Sequence, residues 1–71
     1  MTQKPLLSDF LHEARLRRGI SVRELSDDVG VTPTAIYGWE TGRSRPREES
    51  LKAVCRILKL PIRSTLDLAG I

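Results

Sequence analysis

Apolar residues recur along this chain at the three- and four-residue intervals typical of short amphipathic helices. A first helix is predicted over about 7 to 18, with Ser8 or a neighbour as its cap and Gly19 after its end. Its apolar face consists of Leu7, Phe10, Leu11 and Ala14. This helix is therefore expected to pack one side against a core.

Two shorter helices are predicted next, each with its own start signal. Ser21 and Glu24 have the spacing of a capping box, in which each residue satisfies a backbone N–H of the other. Thr32 is a second cap and Pro33 takes the first helical position, where no N–H is needed. Because only a short glycine-led turn separates the two helices, the segment over about 21–41 is predicted to be a helix-turn-helix.

The rest of the chain is also predicted to be helical. The apolar stripe of a core-facing fourth helix, which ends before Pro61, is formed by Leu51, Val54, Cys55 and Leu58. A last helix is predicted over about 62–69, and no strand pattern is present. The fold class is thus all-α, a compact bundle of about five short helices.

Length and composition narrow the class of protein. The chain has 71 residues, which suits one domain over 1–71, and its formal net charge is +3. Cys55 and His12 are its only cysteine and histidine, too few for a disulfide framework or a structural zinc site. We expect no metal, no cofactor and no enzymatic activity, since no catalytic dyad can be assembled.

The location of the protein is also an expectation from sequence. Residues 1–7 lack the apolar run and cleavage site of a secretory leader. No apolar segment approaches the roughly 20 residues that a membrane span needs. A cytoplasmic protein without a membrane partner is expected.

Polar chemistry is concentrated around the third helix. On a helical wheel Ala35, Ile36 and Trp39 point to one side, and the opposite side is nearly uncharged, with Thr34, Tyr37, Gly38 and Thr41. Arginines precede and follow this helix at Arg15, Arg17, Arg18, Arg23, Arg43, Arg45 and Arg47. An uncharged face flanked by cations suits duplex DNA, in which phosphates attract arginine and base edges are read by hydrogen bonds and methyl contacts.

The stretch from Gly19 to Gly42 resembles the lambda-repressor/Cro-like (XRE-type) helix-turn-helix family. Its most specific element is Trp39-Glu40-Thr41-Gly42, which is followed by arginine and by Pro46. The resemblance implies a five-helix DNA-binding bundle that is usually dimeric, with the helix over 33–41 in the major groove. Val22 stands where the family often has glutamine, so the resemblance does not specify which bases are read.

Residue by residue, the resemblance implies three sets of roles. The base-edge residues are Thr32, Pro33, Thr34, Tyr37 and Gly38. The phosphate-facing residues are Ser21, Arg23, Thr41, Arg43 and Arg45, to which the arginine cluster adds Arg47. Arg15 and Glu40 are expected to form a structural ion pair between helices one and three. A dimer contact is placed on the apolar residues Ile62, Leu66 and Ile71.

Other residues have a structural interpretation. Trp39 and Cys55 are expected in the core, and His12 is expected to be solvated. Arg17 and Arg18 either complement the negative end of the first helix or contact phosphate.

The function expected from these features is a sequence-specific transcriptional regulator, most simply a repressor that binds a palindromic double-stranded operator as a homodimer. The alternative is an antitoxin-like or coactivator-type protein-interaction module with the same fold, whose arginines meet an acidic protein partner.

Overall fold

The helix pattern of the sequence is reproduced in a computed structural model, which describes residues 6–71. The five helices are α1 (Leu7–Arg18), α2 (Val22–Val29), α3 (Pro33–Thr41), α4 (Glu48–Leu58) and α5 (Ile62–Leu68). No strand occurs within residues 6–71, so the predicted all-α class is confirmed for them. Residues 1–5 of the predicted domain lie outside the described residues. The expectation that the chain has no secretory leader rests largely on them.

Side-chain caps start α2 and α3 as predicted. The Ser21 hydroxyl accepts a hydrogen bond from the Glu24 N–H at 3.0 Å, and the Glu24 carboxylate accepts one from the Ser21 N–H at 3.0 Å. The Thr32 hydroxyl accepts from the Ala35 N–H at 3.2 Å. These bonds satisfy N–H groups that the helices leave unpaired, so both helix starts are fixed locally.

The start of α1 differs from the prediction that Ser8 or a neighbour provides a side-chain cap. The N-cap residue is Leu6, which has no side-chain capping bond and whose carbonyl accepts from the Phe10 N–H at 2.9 Å. Ser8 therefore lies inside the first turn, and its hydroxyl makes no cap. Apolar packing of Leu7 and Phe10 against the core fixes this end instead.

The core lies where the four longer helices meet. Its most deeply buried aliphatic side chains are Leu11, Leu25, Ile36, Leu51, Val54 and Leu58. Trp39 and Cys55 are buried among them, which confirms the core positions predicted for both. None of the five helices is long and apolar enough to cross a membrane.

Helix α3 packs against α1 and α2, whereas α4 packs against α2 and α5. The inward side of α3 contributes Ile36 and Trp39 to the core, and its outward side remains exposed at Thr34 and Tyr37. The helix-turn-helix thus presents one face of α3 to its surroundings, while the other face is held by α1 and α2.

Candidate nucleic-acid interface

An open groove runs along the outward side of α3. It has a volume of about 420 Å³ and is lined by Thr32, Thr34, Ala35, Tyr37, Gly38, Thr41, Arg43 and Ser44. Four of the predicted base-edge residues therefore share one surface with two of the predicted phosphate-facing residues. Pro33 is exposed at the first position of α3 but does not line this groove.

The groove combines hydroxyl groups with a larger apolar surface, and Arg43 is the one charged residue of its lining. Tyr37 is 57% exposed, and Thr34 and Thr32 are exposed beside it. The Thr32 hydroxyl is engaged as the cap of α3, and the Thr41 hydroxyl donates to the Tyr37 carbonyl at 2.8 Å. Each hydroxyl keeps further bonding capacity, since a hydroxyl both donates and accepts.

Exposed cationic side chains lie at the starts of α2 and α4 and in the loop between α3 and α4. Arg23 is exposed in the first turn of α2, Arg43 lines the groove, and Arg47 is the exposed N-cap residue of α4. None of these three guanidinium groups forms an ion pair with another residue of the described chain. They are therefore available to an anionic partner.

Arg15 and Glu40 connect α1 to the end of α3. Arg15 donates from Nε to Glu40 Oε2 at 2.7 Å and from Nη2 to Oε1 at 3.0 Å, a bidentate contact. It also donates from Nη1 to the Ile20 carbonyl at 2.9 Å. Their side chains are only 10% and 5% exposed, so this pair is well shielded from water.

His12 joins the same contact, whereas the sequence predicted only a solvated side chain. Its Nδ1 lies 2.7 Å from Glu40 Oε1, and because an ionised carboxylate only accepts, Nδ1 carries the hydrogen. The ring is nevertheless 48% exposed. The missed clue is spacing, since His12 lies one helical turn before Arg15 on the same face of α1.

The contact with α1 changes the acidity of Glu40. Burial by itself raises the pKa of this carboxyl, but the hydrogen bonds and positive charges from Arg15 and His12 outweigh burial and lower it. The hydrogen bond to Glu40 in turn raises the pKa of Arg15. Both groups are therefore charged near neutral pH, and the one carboxylate of α3 is neutralised by α1 instead of facing the groove.

Gly38 is the base-edge residue whose placement differs from expectation. It is buried, and a Cβ atom built on it would clash with the Ser44 hydroxyl. Its carbonyl also accepts from the backbone N–H groups of Arg43 at 2.9 Å and Ser44 at 3.2 Å. The glycine thus has a packing reason, and its burial argues against a direct contact with bases.

Three other predicted polar residues have internal partners. The Ser21 hydroxyl belongs to the capping box of α2, although the residue is exposed. Arg45, expected at phosphate, donates from Nη2 to the Ala69 carbonyl at 2.5 Å. Arg18, in the last turn of α1, donates from Nε to the Leu58 carbonyl at 3.2 Å, so its charge lies at the negative ends of both α1 and α4.

The residues predicted to mediate dimerisation surround a second groove, between α4 and α5. Its volume is about 440 Å³, and its lining consists of Lys52, Ile62, Arg63, Leu66, Asp67 and Ile71. Ile62 is 38% exposed and Ile71 is 50% exposed, whereas Leu66 is half-buried and packs against the core. The three apolar residues therefore lie together, and Ile62 and Ile71 are more exposed than Leu66.

Among residues 6–71, no three His, Cys, Asp or Glu side chains are grouped closely enough to hold a metal ion. The arrangement described above is that of a binding surface.

A helix-turn-helix family model matches residues 11–64. The transcriptional regulator ClgR of Mycobacterium tuberculosis is 36% identical over 67 residues, covering 94% of this chain and 60% of that protein. The chain thus spans less than two thirds of the length of these curated relatives.

Two solved structures extend the likeness to three dimensions. The P22 c2 repressor in complex with synthetic operator 9T superposes with a TM-score of 0.81 at 26% identity, covering 87% of this chain and 94% of that one. The clp gene regulator ClgR of Corynebacterium glutamicum superposes with a TM-score of 0.79 at 29% identity, covering 96% and 77%.

Proposed function

Because this chain belongs to the helix-turn-helix family and shares its lambda-repressor-like fold, we propose that it is a sequence-specific DNA-binding transcriptional regulator. It binds a palindromic operator as a homodimer, with α3 in the major groove, and acts as a repressor. The observation that carries this proposal is the exposed groove of α3, whose only charged lining residue is Arg43, an arginine without an ion-pair partner in the described chain. The P22 c2 repressor, whose structure contains an operator, supports the same mode of action.

Base reading is assigned to the exposed residues at the start and centre of α3. The hydroxyl groups of Thr34 and Tyr37 offer hydrogen bonds to base edges, and the Thr34 methyl and Pro33 offer apolar contact to thymine methyl groups. Thr32 lies at the entrance of the same groove. Since these side chains are exposed, their contacts with DNA need no rearrangement of the core.

Backbone binding is assigned to the surrounding polar and cationic groups. Arg23, Arg43 and Arg47 contact phosphates, with Ser21 and Thr41 as uncharged neighbours. The amino end of α2 adds its helix dipole at Ser21. Such contacts hold the protein on the duplex in one register and leave the choice of sequence to α3.

The dimer contact is assigned to the groove between α4 and α5. A two-fold axis there brings the exposed Ile62 and Ile71 of two copies together. The two α3 helices then read successive major grooves about 34 Å apart on one side of the duplex.

Selection from a random DNA library, followed by affinity measurements, tests the assignment of α3. The double variant Thr34→Ala/Tyr37→Ala should lose about 10- to 100-fold in affinity for the selected site and little for unrelated DNA. Leu16→Ala is a matched control, because Leu16 is as exposed as Tyr37 but lies on α1. Equal losses of affinity for selected and unrelated DNA would show that residues other than Thr34 and Tyr37 determine sequence specificity.

The same selection, carried out with wild type, separates DNA recognition from the protein-interaction alternative. If a protein partner is the main target, wild type shows no preference for any selected sequence, and the proposed function fails.

Sedimentation tests the dimer contact. Ile62→Asp should yield monomers at concentrations where wild type is dimeric, because Ile62 is exposed and its replacement leaves the core intact. Leu16→Asp places the same charge at an exposed leucine of α1 and should remain dimeric. Identical sedimentation of Ile62→Asp and wild type would remove this assignment.

A further inference from the structure

The loop between α3 and α4 is joined to the end of α5 by one long-range hydrogen bond. Arg45 Nη2 donates to the Ala69 carbonyl, which lies 24 residues further along the chain. The preceding part of the loop is bound to α3, since the Arg43 and Ser44 N–H groups both donate to the Gly38 carbonyl. The loop therefore bridges the proposed DNA-reading helix and the last helix.

The acceptor of this bond is part of an ordered helix end. After α5, Gly70 has a positive φ of +75° and donates to the Asp67 carbonyl at 3.0 Å. Ile71 donates to the Leu66 carbonyl, also at 3.0 Å. This pair of bonds is a Schellman motif, whose geometry brings the residue after the glycine back toward the helix.

That motif also shapes the groove between α4 and α5. Leu66 and Ile71, which its backbone bond connects, both line the groove assigned to dimerisation. The Ala69 carbonyl lies between them in sequence and belongs to the same turn. Whatever immobilises Ile71 against Leu66 therefore also immobilises the acceptor of Arg45.

We propose that Arg45 is a positioning residue, which holds the DNA-facing loop by binding the helix end that also forms the dimer groove. This inference rests on the proposed function. A second copy seated on Ile71 orders the turn after α5, and Arg45 transmits that order to the loop containing Arg43. Dimerisation and DNA affinity are then coupled, each strengthening the other.

A double-mutant cycle on DNA affinity tests the coupling. Arg45→Met removes the donor, and Gly70→Ala perturbs the acceptor, since alanine is strained at this positive φ. Each single variant should weaken binding to the selected site by about tenfold, and the double variant by no more than either. If the two losses multiply, Arg45 and the turn act independently and the proposal is overturned.

Arg43→Met is the matched control, with the same substitution two residues earlier in the loop. Arg43 has no ion-pair partner in the described chain and lines the α3 groove. Its loss should multiply with that of Gly70→Ala, because a phosphate contact does not act through α5. If the affinity losses of Arg43→Met and Gly70→Ala do not multiply, the cycle reports a general loss of structure. That result overturns the specific role of Arg45.

Hydrogen exchange provides a measurement without DNA. In Arg45→Met the Gly70 and Ile71 amides should exchange about tenfold faster than in wild type, whereas Arg43→Met should leave them unchanged. Unchanged exchange in Arg45→Met overturns the positioning role even if the protein binds DNA. If wild type does not bind DNA, the proposed function is overturned, and with it the coupling. Hydrogen exchange then still decides whether the bond from Arg45 to the Ala69 carbonyl orders the turn after α5.

Discussion

Glu40 is the one charged side chain of α3, and its position shows how this helix keeps a carboxylate away from the proposed DNA surface. Arg15 and His12 hold both of its oxygens from α1, in a contact that is nearly closed to solvent. The repulsion between a carboxylate and phosphate is thereby avoided. The acidic residue instead stabilises the orientation of the helix.

This contact predicts a specific pH dependence of stability. The pKa of Glu40 is lowered in the folded state. At pH values where this carboxyl group titrates, the unfolded chain therefore binds more protons than the folded chain. Its stabilising contribution is complete above the unfolded value of about 4.3 and is lost as the pH falls through the lower folded value. Urea unfolding between pH 7 and pH 3 should therefore show a falling midpoint in acid.

Substitution isolates the contribution of this carboxylate. Glu40→Gln should lower the midpoint at pH 7, because Arg15 loses a charged partner, and should flatten the acid dependence. Glu13→Gln, at an exposed glutamate of α1, should keep the wild-type profile. An unchanged acid slope in Glu40→Gln would assign the dependence to other carboxyl groups.

Gly38 provides a second prediction at a single position. Alanine is favoured over glycine by roughly 1 kcal/mol inside a helix, but here its Cβ would meet the Ser44 hydroxyl. Gly38→Ala should therefore gain less than this amount in the wild-type background. In a Ser44→Ala background, which removes the obstructing oxygen, the full gain of about 1 kcal/mol should appear in chemical denaturation. Equal gains in both backgrounds would contradict the packing explanation.

Among the helices, most ends are set by local chemistry, and Lys59 is the exception. It follows α4 with φ at +57°, the only residue other than glycine with positive φ in the described chain. The corresponding positions after α1, α2 and α3 are glycines, which adopt this conformation without a Cβ penalty. The end of α4 is consequently strained.

Relief of this strain should stabilise the protein. Lys59→Gly is expected to raise the free energy of unfolding by about 1 kcal/mol, measured by urea denaturation. Lys59→Ala removes the same charge but keeps a Cβ, and should give no comparable gain. Equal stabilisation by both variants would indicate a charge effect rather than backbone strain.

The same contrast explains what the sequence could and could not predict. Caps and glycines act within a few residues, so the bounds of α2 and α3 follow directly from Ser21, Thr32 and the residues after them. The contact of Arg45 with Ala69 spans 24 residues and leaves no periodic pattern, so the sequence did not predict it. The start of α1 near residue 7 was predicted correctly, but its side-chain cap was not, because apolar packing rather than a polar cap fixes this end.

The proposed site shows the same division. The exposed face with Thr34 and Tyr37 was predictable from helical periodicity, because the buried side of α3 is apolar. The burial of Gly38 was not, because it depends on Ser44 in the following loop. Polarity along one helix thus predicts which side is exposed, whereas contacts with other segments, such as the following loop, decide which positions on that side are accessible to a partner.

Over the whole molecule, the distribution of charge matters more than its sum. The net charge is only +3, but Arg23, Arg43 and Arg47 remain unpaired around the candidate interface. Glu40 is neutralised internally, and the Glu48 carboxylate contacts Lys52 at 3.0 Å on α4. The candidate interface therefore keeps positive charge without a carboxylate of α3 to oppose it.

Salt titration of DNA binding measures this distribution. With 6 to 10 phosphate contacts per dimer, affinity should fall by roughly 10³- to 10⁵-fold between about 50 and 200 mM salt. Arg43→Gln should reduce the slope of the logarithmic plot by about 2, one contact for each subunit. Arg56→Gln removes the same charge from the exposed last turn of α4 and should leave the slope nearly unchanged. Equal slopes for both variants would reflect net charge alone.

The division of α3 into two faces has a consequence for engineering. Ile36, Trp39 and Glu40 bind the helix to the body of the protein, whereas Thr34 and Tyr37 make no side-chain contribution to the core. The proposed recognition of DNA sequence and the packing of α3 therefore depend on different residues of the same helix. The fold should therefore tolerate a library of substitutions at these outward positions. Variants that each prefer a different operator could be selected from it without redesign of the bundle.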